Sequence, residues 1–284
     1  MKKKILRLTL DVVFKLFFTS EKNLELLAKF LQSILDLPDD EIVEIEILNS
    51  AINRDSLKSK EFIVDLRVRT KSGNNQIFEV QIKNHKGFNE RIAASNAKVF
   101  SNQLAPGDEY CNLKRTISIV ITDFESVKGS ENYHEVFMYR SESGYVLTKH
   151  QQIHYLDLTK IPQEPRTEKD LWMKLFKCED EREMEMIAER SPIIQKAVYR
   201  IKELSEDEHA QQMAYEREEG LRLWRAFEYT AREEGREEGR EEGLERLEKA
   251  RRSTALKMLK DGFTIDKVAH YMEMPLEWVR ELTN

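Results

Sequence analysis

The seven-residue run TISIVIT (116–122) does most to constrain the fold. It is β-branched at nearly every position and lacks the apolar–polar alternation of a half-solvated strand. A strand able to hide both faces belongs at the centre of a sheet covered by helices on either side. The surrounding segments fit that frame. Residues 9–36 read as two helices, with apolar residues three and four apart in LDVVFKLFF and NLELLAKFLQSIL; Ser20 and Glu21 start the second and Pro38 stops it. EIVEIEILNS (41–50) alternates as a strand. NERIAASNAKVFSNQLA (89–105) is a helix ending before Pro106-Gly107. HEVFMYR (134–140), YVLTKH (145–150) and IHYLDLT (153–159) are further strands. The order describes an α/β or α+β domain over residues 1–165.

After Pro165 the texture changes. Residues 168–190 and 192–204 read as amphipathic helices. A very polar helical stretch follows over 206–252, and 253–284 forms three short helical patterns separated by Asp261-Gly262 and Pro275. Residues 1–165 hold 23 basic and 23 acidic side chains, so the formal charge of −6 resides entirely in 166–284, with 23 basic and 29 acidic. A general nucleic-acid binder carries a basic excess, so any DNA contact here must rest on a local patch. Apolar runs fall short of the ~18 residues that span a bilayer. The opening MKKKILRLTLDVVF has no small-residue cleavage site, and Cys111 and Cys178 form neither a disulfide framework nor a metal spacing. A reduced, cytoplasmic protein without membrane contact is expected.

The segment FIVDLRVRTKSGNNQIFEVQIKN (62–84) is where chemistry concentrates. It reads as two strands around a turn at Lys71–Asn75. Period two puts Phe62, Val64, Leu66 and Val68 on one face and Asp65 and Arg67 on the other. In the second strand Phe78, Val80 and Ile82 oppose Glu79, Gln81 and Lys83. Matching the apolar faces requires an even register offset, which sets Asp65 and Glu79 opposite or diagonal on one face. Two carboxylates at one point repel unless a cation sits between them. Mg²⁺ takes hard oxygen ligands and is often held by only one or two carboxylates; Mn²⁺ can substitute. The same spacing also fits a solvent-facing hairpin in which Arg67 pairs with Glu79.

Several pieces in this order resemble one family. DVVFKLFF (11–18) is similar to an N-terminal D-x-x-F-K-x-x-F motif through Asp11, Phe14, Lys15 and Phe18. IVDLRVRTKSGNNQIFEVQ is similar to a strand–turn–strand with D…E-x-Q through Asp65, Glu79 and Gln81. The stretch from Arg91 to Phe124 resembles the following helix, a Gly-x-x-Tyr turn (Gly107, Tyr110) and a strand. Together, over about residues 8–160, they resemble the Rpn family of recombination-promoting nucleases and transposases within the PD-(D/E)XK superfamily. The resemblance implies a restriction-endonuclease-like mixed central sheet flanked by helices, here followed by a long α-helical tail. It implies Mg²⁺-dependent endonuclease cleavage of DNA linked to recombination or transposition. Asp65 and Glu79 would be metal ligands, Gln81 would take the place of the superfamily's catalytic Lys, and Asp11 would add a carboxylate. The chain departs from the pattern at Val64, where Pro often precedes the first acid, and at Gln81 itself. A neutral amide cannot deprotonate water, so Lys15, Lys83 or Lys98 must bring positive charge, and the motif favours Lys15. Arg91 and Lys98, seven apart on one helix face, are the expected grip on the DNA backbone.

The tail carries REEGREEGREEG (232–243). Glu233 with Arg236 and Glu237 with Arg240 are spaced for ion pairs worth about 0.2–0.5 kcal/mol each. The Gly row 235, 239, 243 costs about 1 kcal/mol per residue in an isolated helix. The repeat fits a solvated helix or a close helix–helix contact that makes homo-oligomers. Ile265, Val268, Ala269, Met272, Leu276, Val279 and Leu282 outline a small helix-turn-helix-like core in 253–284. Its last helix offers only Arg280 against Glu277 and Glu281, which favours protein contact over base readout. The alternative for the whole chain is a catalytically silent relative that binds DNA or protein.

Overall fold

The structure is a computed structural model and describes residues 4–38, 45–47, 66–70, 75–81 and 87–283. Two compact units are present, Met1–Leu221 and Arg222–Asn284.

The first unit opens with helices α1 (Asp11–Thr19) and α2 (Leu24–Leu35). Among the described residues the sheet has six strands: β1 (Ile45–Ile47), β2 (Leu66–Thr70), β3 (Asn75–Gln81), β4 (Thr116–Thr122), β5 (His134–Met138) and β6 (Gln151–Asp157). Their order is β1-β2-β3-β4-β6-β5. β3, β4 and β6 run parallel and the outer pairings are antiparallel. Helix α3 (Phe88–Ser101) connects β3 to β4, the helical crossover that a parallel pair requires.

β4 is buried at all seven positions, which explains its unbroken apolar run. Ile117, Ile119 and Ile121 enter the large core under α1 and α2. Val120 enters a second cluster with Phe88 and Ile92 of α3 and Tyr155 of β6. The large core continues past Pro165 through α4 (Glu168–Lys177), α5 (Glu181–Ala188), α6 (Pro192–Glu206) and the start of α7 (Glu208–Lys260). Phe14, Phe18, Phe30, Trp172 and Phe176 form one aromatic cluster, with Phe18–Phe30 centroids 5.3 Å apart and Phe30–Trp172 5.4 Å. The change in texture at Pro165 is therefore not an edge of the core; the helices beyond it cover the same apolar side of the sheet as α1 and α2.

Two segments differ from expectation. Residues 145–150 are no sheet strand: they close a short hairpin beyond β5, with a single bridge between Arg140 and Val146. Tyr145 and Leu147 are 78% and 81% exposed, so the alternation there has no buried face to serve. The amphipathic run 168–190 is two helices, because Asp180 accepts from the Glu183 N–H at 2.9 Å and caps a new start.

In the second unit, α8 (Ile265–Tyr271) and α9 (Leu276–Glu281) pack on the last turns of α7. Ala255, Val268, Ala269 and Val279 are buried, with Ile265, Met272, Leu276 and Leu282 against them, as the apolar spacing predicts. In the REEG segment Arg240 meets Glu237 at 3.2 Å and Arg236 meets Glu233 at 4.0 Å. No helix among the described residues is long and apolar enough to cross a membrane.

Candidate active site

β3 carries the second acid of the hairpin and the Gln. In parallel register with β4, Phe78 pairs with Ile119, Glu79 with Val120 and Gln81 with Thr122. Ile119 belongs to the helical core and Val120 to the α3 layer. Positions 79 and 81 therefore lie in rows on the sheet face that α3 covers. On the other side Phe78 pairs with Leu66 of β2. Asp65 and Lys83 lie outside the described residues; in sequence Asp65 precedes Leu66 as Glu79 follows Phe78. Among the described residues no group of three or more His, Cys, Asp or Glu gathers as metal ligands.

Gln81, Thr122 and Asp157 end the three parallel strands at one level. This carboxyl edge is where open α/β sheets bind ligands. Asp157 is already engaged there: it accepts from the N–H groups of Ser126 (3.3 Å) and Thr159 (2.9 Å) and from the Thr159 hydroxyl (2.6 Å). It shapes the edge loops.

α1 contacts β3, so the helix with Asp11 and Lys15 adjoins the strand with Glu79 and Gln81. A family model described as PD-(D/E)XK nuclease family transposase matches residues 8–226. The chain belongs to this family. No curated protein and no solved structure gives a significant match. The family span ends just past Leu221, close to the end of the first compact unit. It includes the start of α7 along with the sheet.

That extent has a structural basis. Asp11, expected to add a carboxylate to the site, is held by Arg217 of α7. Arg217 donates from Nε to both Asp11 carboxylate oxygens at 3.0 Å and from Nη2 to Oδ2 at 2.7 Å. The residues are 8% and 3% exposed. Burial pushes the Asp11 carboxyl up, against the opposing pull of Arg217 and of the Val12 N–H. Sequence reasoning missed Arg217 because it sits among Glu216, Glu218 and Glu219. The available signal was its place in the stripe Ala210, Met213, Ala214, Arg217, Leu221, spaced three and four apart.

Lys15 is also buried, at 6% exposure. On α3, Arg91 lies over the Phe88 ring at 5.6 Å and Lys98 is exposed. His150 is exposed and accompanies the Thr148 hydroxyl at 3.0 Å. His154 is buried against a partner that the sequence did not single out: its Nδ1 lies 2.9 Å from His134 Nε2. Burial lowers His134 to about 4 and His154 to about 3, with Lys169 adding to both shifts. The pair is neutral near pH 7 and is part of the packing between β5 and β6.

Proposed function

We propose that the chain is a cytoplasmic, metal-dependent DNA endonuclease that hydrolyses phosphodiester bonds in recombination or transposition. The observation that carries this reading is membership of the PD-(D/E)XK nuclease family transposases over residues 8–226. The donor set fits a hard divalent cation. Asp65 and Glu79 are carboxylates flanking the Leu66–Phe78 pair of an antiparallel hairpin, and Mg²⁺ favours such oxygen ligands, with Mn²⁺ as a substitute. When bound, the ion supplies Lewis acidity to the phosphate.

The chain's own groups take the remaining roles. Gln81 orients water or phosphate through its amide. Lys15 is buried on α1, which meets β3 from the helical-core side, so positive charge on the α3 face falls to Lys98 and Lys83, with Lys15 supporting the strand from behind. Asp11 is a positioning residue: tied to Arg217, it fixes α1 against α7. Arg91, Lys98 and Lys83 grip the DNA backbone, giving the local patch that a neutral domain needs. The helical tail serves homo-oligomer formation.

The test is plasmid cleavage by the full-length chain with Mg²⁺, with Mn²⁺ and with EDTA, beside Asp65→Ala and Glu79→Ala. Metal-dependent nicking lost in both variants supports the reading. No cleavage by any form, with DNA binding retained, replaces it with a silent DNA-binding relative whose Gln81 no longer supports hydrolysis.

A further inference from the structure

The α3 face of the sheet holds more than the rows at 79 and 81. A cavity of about 500 Å³ opens between the N-terminus of α3, the loop after β4 and strands β5 and β6. That volume is in the range of small-ligand sites, roughly 300–1,000 Å³. Its walls are mainly apolar and aromatic: Phe137, Ile153 and Tyr155. Phe137 and Tyr155 meet edge to face at 5.6 Å, and Phe137 remains 46% exposed. A ring of this size held open on a sheet face is a stacking surface.

A few polar groups converge on the cavity. The Asn89 Oδ1 accepts from the Tyr155 hydroxyl at 2.9 Å, which orients the amide and leaves its NH₂ to donate elsewhere. Ser126 also lines the cavity, with its hydroxyl oxygen turned out of contact with solvent. Lys128 lines the rim and makes no ion pair among the described residues. The one lining acid, Glu125, is met by Lys160 at 3.2 Å. A second cavity of about 220 Å³ shares Phe137 and Ile153 and continues past Tyr139.

The position of the cavity narrows the ligand class. Glu79 pairs with Val120, and Val120 with Tyr155. Position 79 and Tyr155 thus stand in one transverse row, two strands or roughly 10 Å apart at the ordinary strand spacing. A ligand in the cavity lies about a nucleotide or two from the proposed metal site, on the same face. A nucleobase has the matching chemistry: a π-face for Phe137, edge acceptors for the Asn89 amide, and an attached phosphate for Lys128.

We infer that this cavity is a nucleobase-binding subsite, which takes an unstacked base of the DNA strand near the bond to be cut. The inference deepens the nuclease reading and rests on it for the choice of ligand. Base–aromatic stacking contributes enough that loss of the ring weakens binding by about fivefold or more.

The experiment uses the full-length chain in EDTA, so that no cleavage occurs. Each of the four deoxynucleoside 5′-monophosphates is tested by saturation-transfer NMR, with deoxyribose 5-phosphate as the base-free control. A short single-stranded oligonucleotide is titrated in parallel by fluorescence anisotropy. Saturation of base protons, no signal from the control, and at least fivefold weaker oligonucleotide binding in Phe137→Ala are the expected results. Asn89→Asp, which keeps the acceptor for the Tyr155 hydroxyl and removes the NH₂ donors, provides a second variant, expected to change the ranking among the four bases; melting curves check that both variants fold. Absence of base signals in the wild type, or base signals unchanged in both variants, overturns the inference. Plasmid cleavage is scored separately. Cleavage without mononucleotide binding removes the subsite and keeps the nuclease, whereas binding without cleavage keeps the subsite and removes the nuclease.

Discussion

Arg217 grips Asp11 across 206 residues of sequence, through three donor–acceptor contacts of 2.7–3.0 Å. The pair fastens the beginning of α7 to the beginning of α1, and α1 contacts β3. Neighbouring contacts tie down the same N-terminal segment. The Leu6 N–H donates to the Ser205 hydroxyl at 3.0 Å, Gln211 donates to the Lys4 carbonyl at 2.6 Å, and Lys4 pairs with Glu218 at 3.0 Å. What reads in sequence as the start of a tail is part of the support for α1 and, through it, β3.

Removing one partner of that buried pair leaves the other charge without compensation. Arg217→Ala is expected to lower stability by about 3–5 kcal/mol, whereas joint replacement, Asp11→Leu with Arg217→Met, is expected to be far milder. Urea denaturation of the three proteins checks this. Equal losses in the single and double variants would mean that the pair is not the source of the effect.

Truncation at residue 221 is expected to leave a cooperatively melting first unit, and truncation at residue 165 is not. The shorter chain lacks Trp172, Phe176, Ile194, Ala197 and Ile201, all at most 1% exposed in the core. Without them Phe14, Phe18 and Phe30 face water. Thermal melts followed by circular dichroism distinguish the two. The single substitution Trp172→Ala is expected to cost about 3–5 kcal/mol in the intact chain.

The His134–His154 pair predicts acid sensitivity. Both folded-state values, about 4 and about 3, lie below the ordinary 6.5. Between those values and 6.5 the unfolded chain binds more protons than the folded one, so stability rises with pH there. The contribution is complete above about pH 6.5 and is lost as pH falls toward 4. Denaturation midpoints at pH 7.5 and pH 5 give the slope, and His154→Asn should flatten it.

In the second unit, an added Cβ at Gly235, Gly239 or Gly243 would meet nothing within 4 Å among the described residues beyond its own helix backbone and chain neighbours. Replacing all three by Ala is expected to strengthen this helix by about 1 kcal/mol per residue. A rise in helical ellipticity at high temperature is the readout. A weakened oligomer in light scattering would show in addition that the row lies against a second chain.

Much of the architecture was legible because it depends on periodicity within short segments. The unbroken run 116–122 demanded a central strand buried on both faces, and β4 is that strand. The alternation around Leu66 and Phe78 demanded an even register, and those residues pair. The apolar spacing from Ile265 to Leu282 outlined the small C-terminal core, and the four-residue repeat set the Glu–Arg pairs of α7. The D…E-x-Q pattern with the D-x-x-F-K motif carried the family. Other features depend on what a segment meets, which periodicity does not encode. The stripe of α4 and α6 said that each helix buries a face; only tertiary structure decided that the face lies against α1 and α2. The alternation of 145–150 resembled a strand, but the sheet ends at β5 and leaves Tyr145 and Leu147 in solvent. Asp11 stood out in the motif, but that Arg217, distant in sequence, binds its carboxylate was not legible. Sequence by itself determined the local elements and the family motif, because those follow from side-chain spacing. The partners of Asp11, His154 and Trp172 were settled by long-range packing, where a buried charge or ring must find its complement wherever the chain brings one.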